Sequence, residues 1–184
     1  MSIPSSPTHL LLDKNVARKS VSGLDKMTEV FPLSDTESIA LCILEQAAKG
    51  KTRPFIAPES LHILLSLERT VASHSIRSFL DQVEVLYPGR YLKRWARRLH
   101  RMNFTREDAK VLSLATFGTD EAGEILSVSV IVTFDQRLIS KYAHELAVIR
   151  GQFEAMMAGL DPPFCYARLP EVMLPQKALG LIQC

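Results

Sequence analysis

Ile125-Leu126-Ser127-Val128-Ser129-Val130-Ile131-Val132-Thr133-Phe134-Asp135 contains the longest dense apolar stretch of the chain, and it ends on an acid. Its Val and Ile content predicts a central strand over Ile125–Thr133, because β-branched side chains pack well on a pleated surface. The stretch is far shorter than the ~20 apolar residues a membrane helix needs. Working outward, the polar run Gly118–Glu124 reads as a loop. Before it, Thr105 and Asp108 form a capping-box pattern for a helix reaching about Phe117. After it, Lys141–Gly159 is helical by pattern, and Pro162-Pro163 ends that region.

The same alternation recurs upstream. His9–Leu12 is a short apolar run ending at Asp13 and predicts a buried first strand. Val16–Phe31 has no clear period. Ser34 and Glu37 form a second capping box ahead of Ile39–Ala48, with Gly50 as the stop. Arg53–Ala57 predicts a second strand, and Pro58 suits the first turn of a helix to about Ser73. Ser75–Val85 and Arg90–Met102 read as helices separated by a Pro88-Gly89 turn. Phe164–Leu169 reads as a last strand, with no clear motif beyond it. Strands alternating with helices imply an α/β fold, a mostly parallel sheet sandwiched by helices. We expect a flexible N-terminus over 1–8, one domain over 9–169 and a C-terminal tail over 170–184.

Composition agrees with an ordinary globular domain. The chain has 184 residues, 47% apolar and 23% charged. At this length about 70% of the unfolded surface can be buried, so no disulfide or metal staple is needed. Cys42, Cys165 and Cys184 form no C-x-x-C pair, and the five histidines show no H-x-x-x-H spacing. A zinc site therefore has no support, and a reducing cytoplasm is the expected location. No secretory signal and no membrane association are expected. P-loop, G-x-G-x-x-G and G-x-S-x-G signatures are absent, which argues against P-loop nucleotidases, dinucleotide enzymes and the common serine hydrolases.

Three acids stand where chemistry collects in such folds. Asp13 and Asp135 each follow a predicted strand, and Asp108 lies in the first turn of the helix leading toward the second of them. Functional groups gather beyond the carboxyl ends of parallel strands, so the three can converge on one edge. Each also has a structural role available: Asp13 as a turn residue, Asp108 as the capping partner of Thr105, Asp135 as a helix cap. Clustered carboxylates repel one another unless a cation sits among them, and carboxylate oxygens with water suit Mg²⁺ or Mn²⁺. Such a centre activates water against a phosphodiester.

These residues resemble PIN domains. Leu10-Leu11-Leu12-Asp13-Lys14-Asn15-Val16 resembles the family's opening strand running into Asp-x-Asn. Arg106-Glu107-Asp108-Ala109-Lys110-Val111-Leu112-Ser113-Leu114-Ala115 resembles its Asp-Ala…Ala helix, and Val130-Ile131-Val132-Thr133-Phe134-Asp135 its strand ending in Thr-x-Asp. The resemblance covers Leu10–Leu138. It implies a PIN-like three-layer α/β/α sandwich and a Mg²⁺- or Mn²⁺-dependent endoribonuclease cleaving single-stranded RNA. Asp13, Asp108 and Asp135 would be catalytic and metal-binding, with Asn15 and Thr133 in support. Family members are often toxins paired with an antitoxin and often dimers, so an inhibitory protein partner and a homodimer are expectations too.

One position departs from the pattern. In Ile56-Ala57-Pro58-Glu59-Ser60-Leu61-His62-Ile63-Leu64 the family places a Glu directly before the final Leu, and this chain has Ile63. Glu59 lies about one helical turn earlier and is the candidate substitute; Glu37 and Glu45 are further acids to consider. The alternative is a PIN-like module that has lost catalysis and binds RNA or a protein.

Charge adds a second feature. Seven Lys or Arg and no acid lie between Arg90 and Arg106, while the rest of the chain carries 15 basic and 20 acidic residues. On a helix, Arg90, Lys93, Arg94, Arg97, Arg98 and Arg101 share one face, and Tyr91, Leu92, Trp95, Ala96, Leu99 and Met102 share the other. The apolar side predicts core packing, Trp95 included. The acid-free side reads as a phosphate-binding stripe, an ionic partner surface or a solvated face.

Overall fold

The computed structural model describes residues 7–67, 73–124 and 126–183. Among these residues five parallel strands form the central sheet: β1 (Thr8–Leu12), β2 (Thr52–Ile56), β3 (Glu84–Val85), β6 (Val130–Val132) and β7 (Glu171–Met173), in the order β3-β2-β1-β6-β7. Two further short strands, β4 (Tyr87–Pro88) and β5 (Gly118–Thr119), pair antiparallel beside it. Among the described residues eight helices flank the sheet: α1 (Lys14–Thr28), α2 (Asp35–Ala48), α3 (Pro58–Leu67), α4 (Ser73–Leu80), α5 (Leu92–Arg101), α6 (Arg106–Phe117), α7 (Gln136–Met157) and α8 (Pro175–Gln183). The architecture is the expected α/β/α sandwich.

Alternation along the strands sorts the helices into two layers, since successive side chains point to opposite faces. Leu11, Phe55 and Ile131 face a core shared with Trp95 and Leu99 of α5, Leu112 and Phe117 of α6, and Ile149 and Phe153 of α7. Leu10, Leu12, Ile56, Val130 and Val132 face the other core. There they meet Val16 of α1, Ile43 of α2, Leu64 of α3, Phe79 of α4 and Ala178 of α8. Both faces are covered, as a parallel sheet requires.

Register then decides what meets at the edge. Leu12 pairs with Val132 and with Ile56, so β1, β2 and β6 end level with one another. The chain leaves β1 for β2 on one side and later returns to β6 on the other. The crevice between β1 and β6 is therefore the topological switch point, where such sheets place ligands.

Several expected elements differ. Val16–Phe31, which has no clear period, is α1; its helix starts at Lys14 behind an Asp13 cap. Glu84 and Val85 leave the expected helix and pair with Phe55 and Ile56 as β3. Pro88-Gly89 is no isolated turn: Pro88 pairs with Gly118 inside the expected loop. A Cβ on Gly118 would meet the Leu114 carbonyl oxygen at 2.4 Å, so this approach needs glycine. The strand expected from Ile125 shrinks to Val130–Val132. Ser127 takes a φ of 73°, and the amides of Ser127 and Val128 donate to the Gly118 and Ala115 carbonyls rather than to a strand of the central sheet. Phe164–Tyr166 is a 3₁₀ turn rather than a strand. The segment 170–184, expected as a tail, instead supplies the edge strand β7 and helix α8. Expectations for residues 1–6, 68–72, Ile125 and Cys184 lie outside the described residues.

The second capping box forms fully, and its Glu37 does more than cap. Buried Glu37 accepts from Ser22 Oγ at 2.7 Å, Lys26 Nζ at 2.8 Å, and the Ser34 amide and hydroxyl at 2.8 Å each. It ties α1 to α2 and is no part of an acidic site; Glu45 likewise pairs locally with Lys49. Lys26 first, then the Ser34 amide and the hydroxyls, hold the Glu37 carboxyl well below its usual range. A depressed folded pKa contributes stability above the unfolded value near 4.5, lost as pH falls below it. Glu37→Gln should lower Tm at pH 7 by about 5 °C, and the gap from wild type should narrow steadily below pH ~4.5 in thermal melts.

Candidate active site at the carboxyl edge of the sheet

Asp13 and Asp135 meet through one threonine. Level ends of β1 and β6 set Asp13 beside Thr133, whose Oγ1 donates to Asp13 Oδ2 at 2.9 Å. The same oxygen accepts the Asp135 amide at 3.0 Å. Thr133 is fully buried, so the link is shielded from water. Asp13 Oδ1 accepts the Lys14 amide at 2.7 Å, capping α1. Asp135 Oδ1 accepts the Arg137 and Leu138 amides at 2.8 and 3.1 Å, capping α7. Both acids thus do perform the capping role that their sequence positions suggest. Each does so with one oxygen, and among the described residues Asp135 Oδ2 takes no hydrogen bond.

Burial pushes the Asp13 carboxyl above its usual range, more than the bonds from Thr133 and the Lys14 amide hold it down; the charge of Asp135 adds to the rise. An acid in this state is strained when ionised, and a cation nearby relieves it.

Asp108 stands in the first turn of α6, near enough to Lys14 for its charge to act on that ammonium. Only half of its capping box forms: the Asp108 amide donates to Thr105 Oγ1 at 3.1 Å, but its carboxylate makes no return bond. That carboxylate is left without a hydrogen-bond partner among the described residues. Its neighbour Glu107, which sequence reasoning passed over, binds Lys14 Nζ at 2.6 Å. The Lys14 ammonium is held above its usual pKa by the Glu107 bond first, and also by the charges of Glu107, Asp13 and Asp108. A lysine therefore stands among the acids. The pair is exposed, with side chains 47% and 78% accessible, so it contributes little to stability and can part. The signal for it was the acid next to Asp108 and the base next to Asp13; their meeting needs the fold.

The candidate supports divide. Asn15 is exposed on the first turn of α1 and lines an open depression of about 480 Å³ together with Arg18, Lys19, Thr36, Phe134 and Asp135. Glu59 does not join the acids: it is exposed, 4.0 Å from Lys110 Nζ of α6. Ile63 does reach the mouth, where it lines a small crevice with Lys14, Ala17, Arg18, Ser60 and Leu64. The position where the PIN pattern expects an acid is apolar and borders Lys14.

Among the described residues no group of three or more His, Cys, Asp or Glu is close enough to hold a metal ion by itself. The donor set that remains is Asp13 with Asp135. Mg²⁺ keeps several waters and takes one or two carboxylates plus substrate phosphates, so this pair suits a hydrated ion rather than a closed cage.

The basic stripe is largely free. Arg90, Lys93, Arg94, Arg97 and Arg101 are exposed, and none pairs with a carboxylate among the described residues. Arg98 is the exception: it is half-buried and donates to the Gln152 carbonyl and side chain at 3.2 and 3.3 Å, tying α5 to α7. Trp95 is buried in the core, as its helix face predicts. α5 leads into α6 through residues 102–105, and the two helices share one core.

Asp13→Asn removes the strained charge and keeps one carbonyl oxygen to cap α1, while its amide nitrogen can donate to the Thr133 hydroxyl oxygen in place of the lost acceptor. A raised folded pKa contributes stability below the unfolded value and loses it as pH rises through the folded one. The variant should therefore melt higher than wild type at pH 7, by roughly 2 °C, with the difference vanishing toward pH 3.

No protein-family model matches this chain, and no curated protein or solved structure matches it.

Proposed function

We propose that the chain is a PIN-type phosphodiesterase that cleaves single-stranded RNA with Mg²⁺ or Mn²⁺ at Asp13 and Asp135. The observation that carries this reading is the Asp13–Thr133–Asp135 chain at the switch point between β1 and β6. Thr133 holds the Asp13 carboxylate through its hydroxyl and Asp135 through that residue's backbone amide, and the partly buried Asp13 charge, raised further by Asp135, is one that a cation would relieve.

A bound divalent ion would supply charge neutralisation at the phosphodiester and lower the pKa of attacking water. The protein's own groups do the rest. Thr133 fixes the Asp13 carboxylate, and the α7 amides fix Asp135, so neither needs to reorganise. Asp108, with its carboxylate unbonded, orients a water and accepts its proton. Lys14 leaves Glu107 and meets a phosphate oxygen, because their exposed pair is easily exchanged. The α5 stripe guides the strand toward the edge by charge, with little sequence reading.

A second reading has its own observation. Ile63 at the mouth and Lys14 among the acids favour a PIN-like module that retains RNA without cutting it. An inhibitory protein partner and a homodimer remain proposals attached to either reading.

Labelled single-stranded RNA with Mn²⁺, against an EDTA control, tests the choice. Cleavage should occur with wild type and fall at least about a hundredfold in Asp13→Asn and Asp135→Asn. Ile63→Glu, which restores the expected acid, should raise the rate. RNA retained intact by wild type, with cleavage gained in Ile63→Glu, selects the lapsed module. Cleavage unaffected by Asp13→Asn rejects this site.

Arg94→Glu with Arg97→Glu should weaken RNA binding. The slope of log affinity against log salt should shrink by about 0.7 for each phosphate that the protein no longer neutralises. Unchanged affinity in a filter-binding titration would remove α5 from the interface.

A further inference from the structure

The depression beside Asp135 has a composition that acid-and-metal chemistry does not explain. Asn15, Arg18 and Lys19 project from one face of α1, spaced three and four residues apart. Thr36, in the first turn of α2, faces them, and Phe134 and Asp135 close the side toward β6. Arg18 and Lys19 are exposed, and neither pairs with a carboxylate among the described residues. Two unpaired cations on one wall make a seat for an anion. A half-buried aromatic on the other wall makes a seat for a flat apolar group.

Those two demands belong to one ligand class. We infer that this depression binds a single nucleotide unit of the strand, its phosphate on Arg18 and Lys19 and its base against Phe134. Arginine suits the phosphate because its planar fork presents paired donors, and lysine adds a mobile charge. Asn15 and Thr36 offer polar contacts to sugar or base. A volume of about 480 Å³ lies in the range of small-ligand sites and accommodates one nucleotide. Asp135 lines the same depression, so a nucleotide seated there places its neighbouring phosphodiester beside the acid pair. Arg18 also borders the Ile63 crevice, which makes it the residue joining the nucleotide seat to the mouth of the acidic site. The inference deepens the proposed RNA-directed function and rests on it for the choice of ligand, though not on catalysis.

The test uses isotope-labelled full-length protein without divalent ions, titrated separately with AMP, adenosine and inorganic phosphate while amide resonances are followed. AMP should shift Asn15, Lys19, Thr36 and Phe134. Arg18→Ala with Lys19→Ala should weaken AMP binding about tenfold or more, as expected when charge-assisted bonds are removed. Phe134→Leu should weaken AMP about fivefold or more and leave phosphate binding unchanged, because only the base uses the ring. Shifts confined to residues 90–101, no binding, or equal AMP binding by wild type and Phe134→Leu would each overturn the assignment. AMP seated here without any RNA cleavage leaves this inference standing and removes the catalytic one. Asp13-dependent cleavage without AMP at these amides does the reverse.

Discussion

The in-register pairing of β1 with β6 is the constraint on which everything else depends. Leu12 opposite Val132 makes both strands stop at the same height. Whatever follows each strand must then share one crevice, and Asp13 and Thr133 follow. The ladder itself is fixed by burial on both faces. A slip of one residue would turn Leu10 and Leu12 away from one core and Leu11 away from the other. The site is thus placed by the hydrophobic core, and its geometry is as rigid as the sheet.

Around that crevice the charges are arranged in opposition. Asp13 and Asp135 are joined through Thr133 on the sheet side, while Lys14, Glu107 and Asp108 face them from α1 and α6. Lys14 partly offsets the negative charge there, and Ile63 lines an apolar crevice beside it. Among the described residues, cations without a carboxylate partner stand on α1 beside Asp135 and along the outer face of α5. On the proposed reading, a negatively charged strand would meet positive groups before it met the acids, an order that favours encounter.

Elements with strong local codes were legible in the sequence. Ser34 and Glu37 announced α2 because a capping box satisfies helix donors without tertiary help. The alternation of strands and helices announced a parallel sheet between layers. Val16–Phe31 was not legible, since α1 is pinned by Asp13 and by packing on α2 and α4 rather than by a clean period. The segment over 125–133 read as one long strand, but the carboxyl end of α6 captures the amides of Ser127 and Val128 and bends the chain. Strand β7 is three residues long and pairs with β6, so its place is set by that distant partner. Within the site, Asp13, Thr133 and Asp135 were visible because each follows a strand. The pairing of Glu107 with Lys14 was not, because nothing local distinguishes a surface charge that meets a distant partner from a solvated one.

The amino-acid sequence by itself determined the layered α/β architecture, the acids at the strand ends, the two-faced basic helix and the apolar residue at position 63. These follow from periodicity, capping and turn chemistry, which act over a few neighbouring residues. Only the tertiary structure decided which acids meet. It joined Asp13 to Asp135, turned Glu59 toward Lys110, enclosed Glu37 between two helices and brought Lys14 to Glu107. The physical reason is sequence separation. Pairings across 93 or 120 residues, as for Lys14–Glu107 and Asp13–Thr133, are set by strand order and register, which no local pattern encodes.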